Sequence, residues 1–245
     1  AGGGGSAGGG AAGGGGGVQG LSNVGSLVVL GDSISDGGGQ PPYYYNLLKS
    51  DLTAKYGVID YKNNAQSGSK TSALKGQVNG LPASLPGPVV VAITSGGNDM
   101  KAQLPAILTG TDGPARAAMG ANVSEALGLL LAPGRFGAGV EVHVYEANIY
   151  DSSDGQGNFG QNNCAFGNGL PAIATDAFFA SWNGEIASQV GAKGQVLMDI
   201  HAQFWMHGFN HPPNWYASDC THPNSTGHDR LRRYFYQQIT GETLP

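Results

Sequence analysis

Pro88-Val89-Val90-Val91-Ala92-Ile93-Thr94, followed at once by Ser95-Gly96-Gly97-Asn98-Asp99, is the stretch from which the fold can be read. It is rich in β-branched residues and lacks polar alternation, as expected of a strand buried on both faces in a parallel sheet. Upstream, Ser26-Leu27-Val28-Val29-Leu30 repeats the pattern and stops at Gly31. Further strands are expected over residues 58–61, 140–147 (VEVHVYEA) and 195–200. Helix-forming stretches at 43–56, 117–131, 171–190 and 225–239 lie between and after them. This alternation predicts a three-layer α/β/α sandwich around a central, mainly parallel five-stranded sheet. Residues 150–169, rich in Asn, Gly, Asp and Ser, read as a long surface loop.

The chain has 245 residues, enough for one medium domain with a substantial core. Residues 1–17 contain only Gly, Ala and one Ser and bury nothing. They read as a flexible tether ahead of a domain at 18–245. Such a stretch often follows the cleavage site of an exported protein, so a secreted or cell-surface location is expected. A lipid-modified Cys, absent from this sequence, would make it an anchored form, and a cloning linker has the same composition. Charged residues make up 12%, and the formal net charge is -5. No basic stripe for nucleic acid or anionic membrane is present. No apolar run approaches the roughly 20 residues that span a bilayer. Cys164 and Cys220 are expected to pair in an exported chain; in a reducing compartment they would be buried thiols.

Parallel sheets place ligands beyond the carboxyl ends of their strands. The polar turns expected there are Gly31-Asp32-Ser33-Ile34-Ser35, Asn64-Ala65-Gln66-Ser67-Gly68 and Gly96-Gly97-Asn98-Asp99, joined by a C-terminal loop, Ser218-Asp219-Cys220-Thr221-His222-Pro223. A serine hydroxyl is a poor nucleophile unless a base takes its proton, and the base needs a third group to hold its tautomer. The tetrahedral intermediate needs donors aimed at its oxyanion. Ser33, His222 and Asp219 fill the first three roles, and the N–H groups of Ser33 and Gly68 with the Asn98 amide fill the last. Ser33 alone would read equally well as a helix cap, and Ser35 is a rival nucleophile.

These blocks resemble those of the GDSL/SGNH hydrolases, which are named after motifs of this kind. VVLGDSIS around Ser33, NNAQSGSKT around Gly68, ITSGGND around Asn98 and DCTHPNSTGH around Asp219 and His222 occur in the family's order. Ile34-Ser35 stands where the name motif has Leu. The turn is not the G-x-S-x-G elbow of the α/β-hydrolases, because position 35 is Ser. The resemblance implies a flavodoxin-like sandwich and ester hydrolysis through an acyl-enzyme, with no cofactor. It spans lipases, thioesterases, arylesterases and carbohydrate deacetylases.

Low charge and aromatic-rich loops favour a short acyl group, such as acetyl, on a polysaccharide or small ester. Trp205 and Trp215 are the candidates for stacking on a sugar. Lipolysis or thioester cleavage is the alternative within the family, and a non-catalytic carbohydrate-binding module is the alternative outside it. Zinc is the chemical rival, because His201, His207, His211, His222 and His228 fall in the last third. No Cys-x-x-Cys pair accompanies them, and no metal is expected. His228 is expected to face solvent or cap a helix.

Overall fold

The structure, a computed structural model, describes residues 20–162, 164 and 171–244. The 1–17 tether lies outside the described residues, as do parts of the 150–169 loop. The strands are β1 (Ser26–Gly31), β2 (Asp60–Asn63), β3 (Val89–Thr94), β4 (Val142–Ala147) and β5 (Val196–Met198). The helices are α1 (Tyr44–Tyr56), α2 (Leu74–Asn79), α3 (Gly97–Ala102), α4 (Leu104–Leu108), α5 (Gly113–Leu130), α6 (Asp176–Ala192), α7 (Ile200–Phe204) and α8 (Ser225–Thr240). All strands run parallel in the order β2-β1-β3-β4-β5.

Successive strand residues serve opposite layers, as the two-residue period requires. Val28, Leu30, Val91, Ile93 and Val144 join the core beneath α2, α5 and α6. Leu27, Val29, Val90, Ala92 and Tyr145 join the core beneath α1, α7 and α8. The sandwich therefore has its expected three layers, and double-sided burial explains why β1 and β3 read as unbroken apolar runs.

Some boundaries move for local reasons. The last expected strand ends at Met198, because Asp199 caps α7 by accepting from the N–H of Ala202. Helix α6 begins at Asp176, later than expected. Helices α2, α3 and α4 have six, six and five residues, too short to announce themselves by periodicity. The start of the 150–169 loop is not a surface segment: Tyr150 to Asp154 are buried. Asp151 accepts from the N–H groups of Ser153 and Gly155 and from the Thr175 hydroxyl. Asp154 accepts from the N–H groups of Met206 and Gly208. Polar composition suggested exposure, but these polar groups satisfy one another.

The strand order reverses direction at β1: the chain steps outward to β2, then returns across β1 to β3. Such a switch point opens a crevice at the carboxyl ends of the two strands. There Gly31 pairs in register with Thr94. Its φ is +116°, and an added Cβ would fall 1.8 Å from the Thr94 carbonyl oxygen, so only glycine fits. The buried Gln77 amide accepts from the Gly31 N–H at 2.7 Å and donates to the Gly31 carbonyl at 2.8 Å.

Glu146 on β4 is fully buried, and neither carboxyl oxygen has a partner among the described residues. Burial, with the negative field of Asp32, pushes its pKa up to about 8. Between the ordinary carboxylate range and pH 8, the folded chain holds a proton that the unfolded chain has released, so stability falls as pH rises through that window. A Glu146→Gln variant should melt close to wild type at pH 4.5. It should exceed wild type by a few kcal/mol, order of magnitude, at pH 8.5. Thermal melts of both proteins across that range check this, and parallel curves would contradict it.

Candidate active site

Ser33 follows β1 in a single 3-10 turn, Ser33–Ser35, capped by Asp32, whose carboxylate accepts from the N–H of Ile34 at 3.0 Å. The Thr94 hydroxyl donates to the same carboxylate oxygen at 3.1 Å. Asp32 is buried, and desolvation raises its pKa to about 6 against the hydrogen bonds and the nearby His222 that lower it. The cap is thus Asp32, which leaves the Ser33 hydroxyl available. Ser35 is fully buried and bonded to Tyr44 and Thr94, so it is no rival nucleophile.

His222 Nε2 lies 2.7 Å from Ser33 Oγ, and His222 Nδ1 lies 2.7 Å from Asp219 Oδ2. The other Asp219 oxygen accepts from the N–H groups of Thr221 and His222. Partial burial works against ionisation of Asp219, but these bonds to His222 and Thr221 hold its pKa below the ordinary value. The turn at 217–222 is closed by the Ala217 N–H donating to the His222 carbonyl. It is fastened from outside by the Tyr150 hydroxyl on the Thr221 carbonyl and the Ser152 hydroxyl on the Cys220 carbonyl. Cys220 adopts φ +58° and is bonded to Cys164 across 56 residues, as the cysteine count predicted.

Gly68 sits in an exposed turn in which Ser69 N–H reaches back to the Gln66 carbonyl. Its φ of +76° is what a type II turn demands at that position. The N–H groups of Ser33 and Gly68 donate to no protein acceptor among the described residues. Asn98 lines the cleft beside Ser33, and its amide spends one hydrogen on the Ser69 carbonyl at 2.9 Å. Asp99 grips the N–H and hydroxyl of Thr71, which fixes the second and third polar turns together.

The cleft encloses about 140 Å³ and runs from Ser33 between α3–α4 and α6. Its walls are apolar: Met100, Leu104, Ile107 and Leu108 on one side, Phe178 and Phe179 on the other. Phe159, Pro171 and Ile173 come from the connection after β4. Neither tryptophan candidate lines it. Trp215 is buried, with His207 stacked 3.5 Å away and the Arg230 guanidinium over its ring. Trp205 is 40% exposed and borders a separate open groove with Asp176, His201 and Ala202.

The histidines do not converge. His207 and His211 have the four-residue spacing that on a helix would put both rings on one face. Here the segment is irregular, His207 lies on Trp215, and His211 pairs with Asp154 at 2.7 Å. Among the described residues, no group of three or more His, Cys, Asp or Glu could hold a metal ion. His228 corrects the expectation of a solvent-facing or capping residue: it is fully buried, and Asn224 caps α8 instead.

A serine, an imidazole and a carboxylate in relay, beside unclaimed N–H donors, can perform acyl transfer. The model of the GDSL-like Lipase/Acylhydrolase family matches residues 29–230. The chain belongs to that family. Solved structures in the GDSL-like chain's neighbourhood include an acetylxylan esterase from Geobacillus stearothermophilus. That match has 18% identity and a TM-score of 0.58, covering 89% of this chain and 95% of that one. A lipase from goat rumen metagenome has 18% identity and a TM-score of 0.62, with coverage of 89% and 98%. An alpha/beta hydrolase enzyme from the metagenome of Lake Arreo has 22% identity and a TM-score of 0.56, with coverage of 89% and 98%. At these identities the likeness concerns the fold. No curated protein matches the chain.

One element of this GDSL-like site escaped the sequence. An added Cβ at Gly38 would lie 2.4 Å from His222 Cδ2, so the glycine backbone packs directly against the imidazole. Only the run Gly37-Gly38-Gly39 hinted at it, and such a run ordinarily marks a loop.

The Cys164–Cys220 bond joins the turn carrying Asp219 and His222 to the connection that supplies Phe159 to the cleft. Removing it, by reduction or as Cys164→Ala/Cys220→Ala, should lower hydrolytic activity several-fold at temperatures where circular dichroism still reports a folded domain. Simultaneous loss of activity and fold, or no change in either, would contradict this.

Proposed function

We propose that the chain hydrolyses carboxylic esters through an acyl-enzyme, with Ser33 as nucleophile, His222 as general base and Asp219 as its orienting partner. The observation that carries this reading is the unbroken Asp219–His222–Ser33 relay, 2.7 Å at each step, at the switch point of the sheet. Ser33 Oγ attacks the carbonyl carbon while its proton passes to His222 Nε2. The N–H groups of Ser33 and Gly68 and the second amide hydrogen of Asn98 receive the oxyanion. The tetrahedral intermediate collapses, the alcohol leaves with the proton from His222, and Ser33 stays acylated. His222 then deprotonates a water that attacks the acyl carbonyl, and the released serine recovers the proton. Asp219, held ionised by its hydrogen bonds, balances the imidazolium at both stages.

The cleft supports an acyl chain longer than the acetyl group favoured by composition. Its walls are apolar, and about 140 Å³ resembles a cavity that takes a benzene ring. Each buried methylene contributes about 0.8 kcal/mol, so kcat/KM should climb by tenfold or more from p-nitrophenyl acetate to hexanoate and drop again by palmitate. Ser33→Ala should abolish hydrolysis and labelling by a fluorophosphonate probe. A maximum at acetate would remove the acyl role of the cleft, and an active Ser33→Ala would remove the nucleophile. The disulfide supports a secreted or cell-surface location, because such bonds persist in oxidising compartments.

Trp205 favours a second reading, in which the ester is carried on a polysaccharide. Its half-exposed ring beside the Asp176 carboxylate and the His201 imidazole offers an apolar face with hydrogen-bonding groups at its edge. Trp205→Ala should lower activity on acetylated xylan severalfold and leave p-nitrophenyl hexanoate hydrolysis unchanged. Equal activity on both substrates would refute that reading.

A further inference from the structure

We propose that His228 is a positioning residue: as a fixed hydrogen-bond donor it pins the Gly38 backbone, and Gly38 in turn holds the His222 imidazole against Ser33. The inference rests on the roles assigned above to Ser33 and His222, and it concerns residues that touch neither the cleft nor the substrate.

His228 lies in the first turn of α8, with no exposed surface, between Tyr43 at its edge and Tyr44 stacked on it. Its Nδ1 is 3.4 Å from the Tyr44 N–H, and its Nε2 is 2.9 Å from the Gly38 carbonyl. The first partner only donates and the second only accepts. One protonation state satisfies both: the neutral imidazole with its hydrogen on Nε2. Burial lowers the pKa of His228 to about 4, in keeping with that state across the neutral range. His228 is thus a donor of fixed direction, not a second base.

Gly38 receives this bond in the middle of three glycines, the least self-supporting backbone a chain can have. Hydrogen bonds from several sides hold the segment. The Gly38 N–H donates to the Ser33 carbonyl at 2.6 Å, the Asp36 N–H to the same carbonyl at 3.1 Å, and the Gln40 N–H to the Pro223 carbonyl at 3.1 Å. The Ser67 N–H donates to the Asp36 carboxylate. His228 supplies the bond to the Gly38 carbonyl. The Gly38 backbone lies so close to the His222 ring that an added Cβ would come within 2.9 Å of Nε2, the atom facing Ser33. The ring therefore has the relay to Asp219 along one edge and the Gly38 backbone against its Cδ2–Nε2 edge. If Gly38 is released, His222 keeps its bond to Asp219 and loses the contact that fixes its Nε2 edge.

Displacing a catalytic group by an ångström costs on the order of a hundredfold in rate. The 36–40 segment lines no part of the cleft, so substrate affinity should be untouched. The test compares wild type, His228→Phe, which keeps the ring and loses the donor, and His228→Gln, whose amide can still reach Gly38. With p-nitrophenyl hexanoate, His228→Phe should lose roughly tenfold to a hundredfold in kcat with KM within twofold of wild type, and fluorophosphonate labelling should slow in parallel. His228→Gln should recover most of the loss. Where His228→Phe does not melt cooperatively, His228→Asn replaces it, since its shorter amide can meet the Tyr44 N–H but falls short of Gly38. Wild-type kcat in the donor-free variant, a change confined to KM, or equal loss in the Gln variant would each overturn the proposal. Persistent hydrolysis by Ser33→Ala would instead overturn the assignment of the nucleophile on which it rests.

Discussion

The parallel pairing of β1 with β3 is the constraint on which the rest of the structure depends. In that ladder Gly31 meets Thr94, close enough that no side chain is tolerated. The two strands are neighbours in space but separated in sequence by the excursion through β2, so their carboxyl ends diverge into a crevice. Ser33 enters that crevice two residues after the last β1 residue, and Asn98 four residues after the last β3 residue. Thr94 serves both sides, because its hydroxyl also steadies the Asp32 cap and Ser35. A nucleophile placed by a sheet is more exact than one placed by a loop, because the ladder admits no gradual slippage.

His222 arrives by a different route. It stands 189 residues from Ser33, on an irregular turn that no strand supports. Precision there has to come from cross-links. Asp219 closes the turn on itself, Tyr150 and Ser152 grip its carbonyls, and Cys164 holds it covalently. Cys220 occupies a left-handed conformation uncommon for a residue with a side chain, and such positions persist where the surroundings over-determine them. On the other side Gly38 fills the space that any larger residue would contest.

How much of this was legible in the sequence follows from how local each feature is. The strands β1 and β3 could be read outright, since burial on both faces writes itself as a continuous apolar run. Three of the polar turns were legible because parallel topology places them at strand ends, and the five-stranded three-layer fold followed; the Asp219–His222 turn follows no strand and was legible only from its residues. Asp151 and Asp154 misled for the opposite reason. A carboxylate that satisfies buried backbone donors has the same letter as one in water. His228 is a similar case, its burial depending on Tyr44 and Gly38, more than 180 residues away. Trp215 lay within reach of the right loop, but its ring is committed to His207 and Arg230.

The two halves of the cleft come from different parts of the fold. The groups proposed for chemistry sit at β1, β3 and the 217–222 turn, while the apolar walls come from α3–α4, α6 and the connection after β4. Side chains such as Leu104 or Phe178 can change the depth of the cleft without moving Ser33, because the β1–β3 ladder does not pass through them. The exception is the connection after β4. It contributes Phe159 to the wall and Cys164 to the disulfide, so the same segment shapes the cleft and restrains the turn that carries the proposed base. Changes of wall at α4 or α6 should therefore alter acyl preference at constant turnover chemistry. Changes near Cys164 should carry a cost in both, because there the wall of the cleft and the 217–222 turn are tied to one segment.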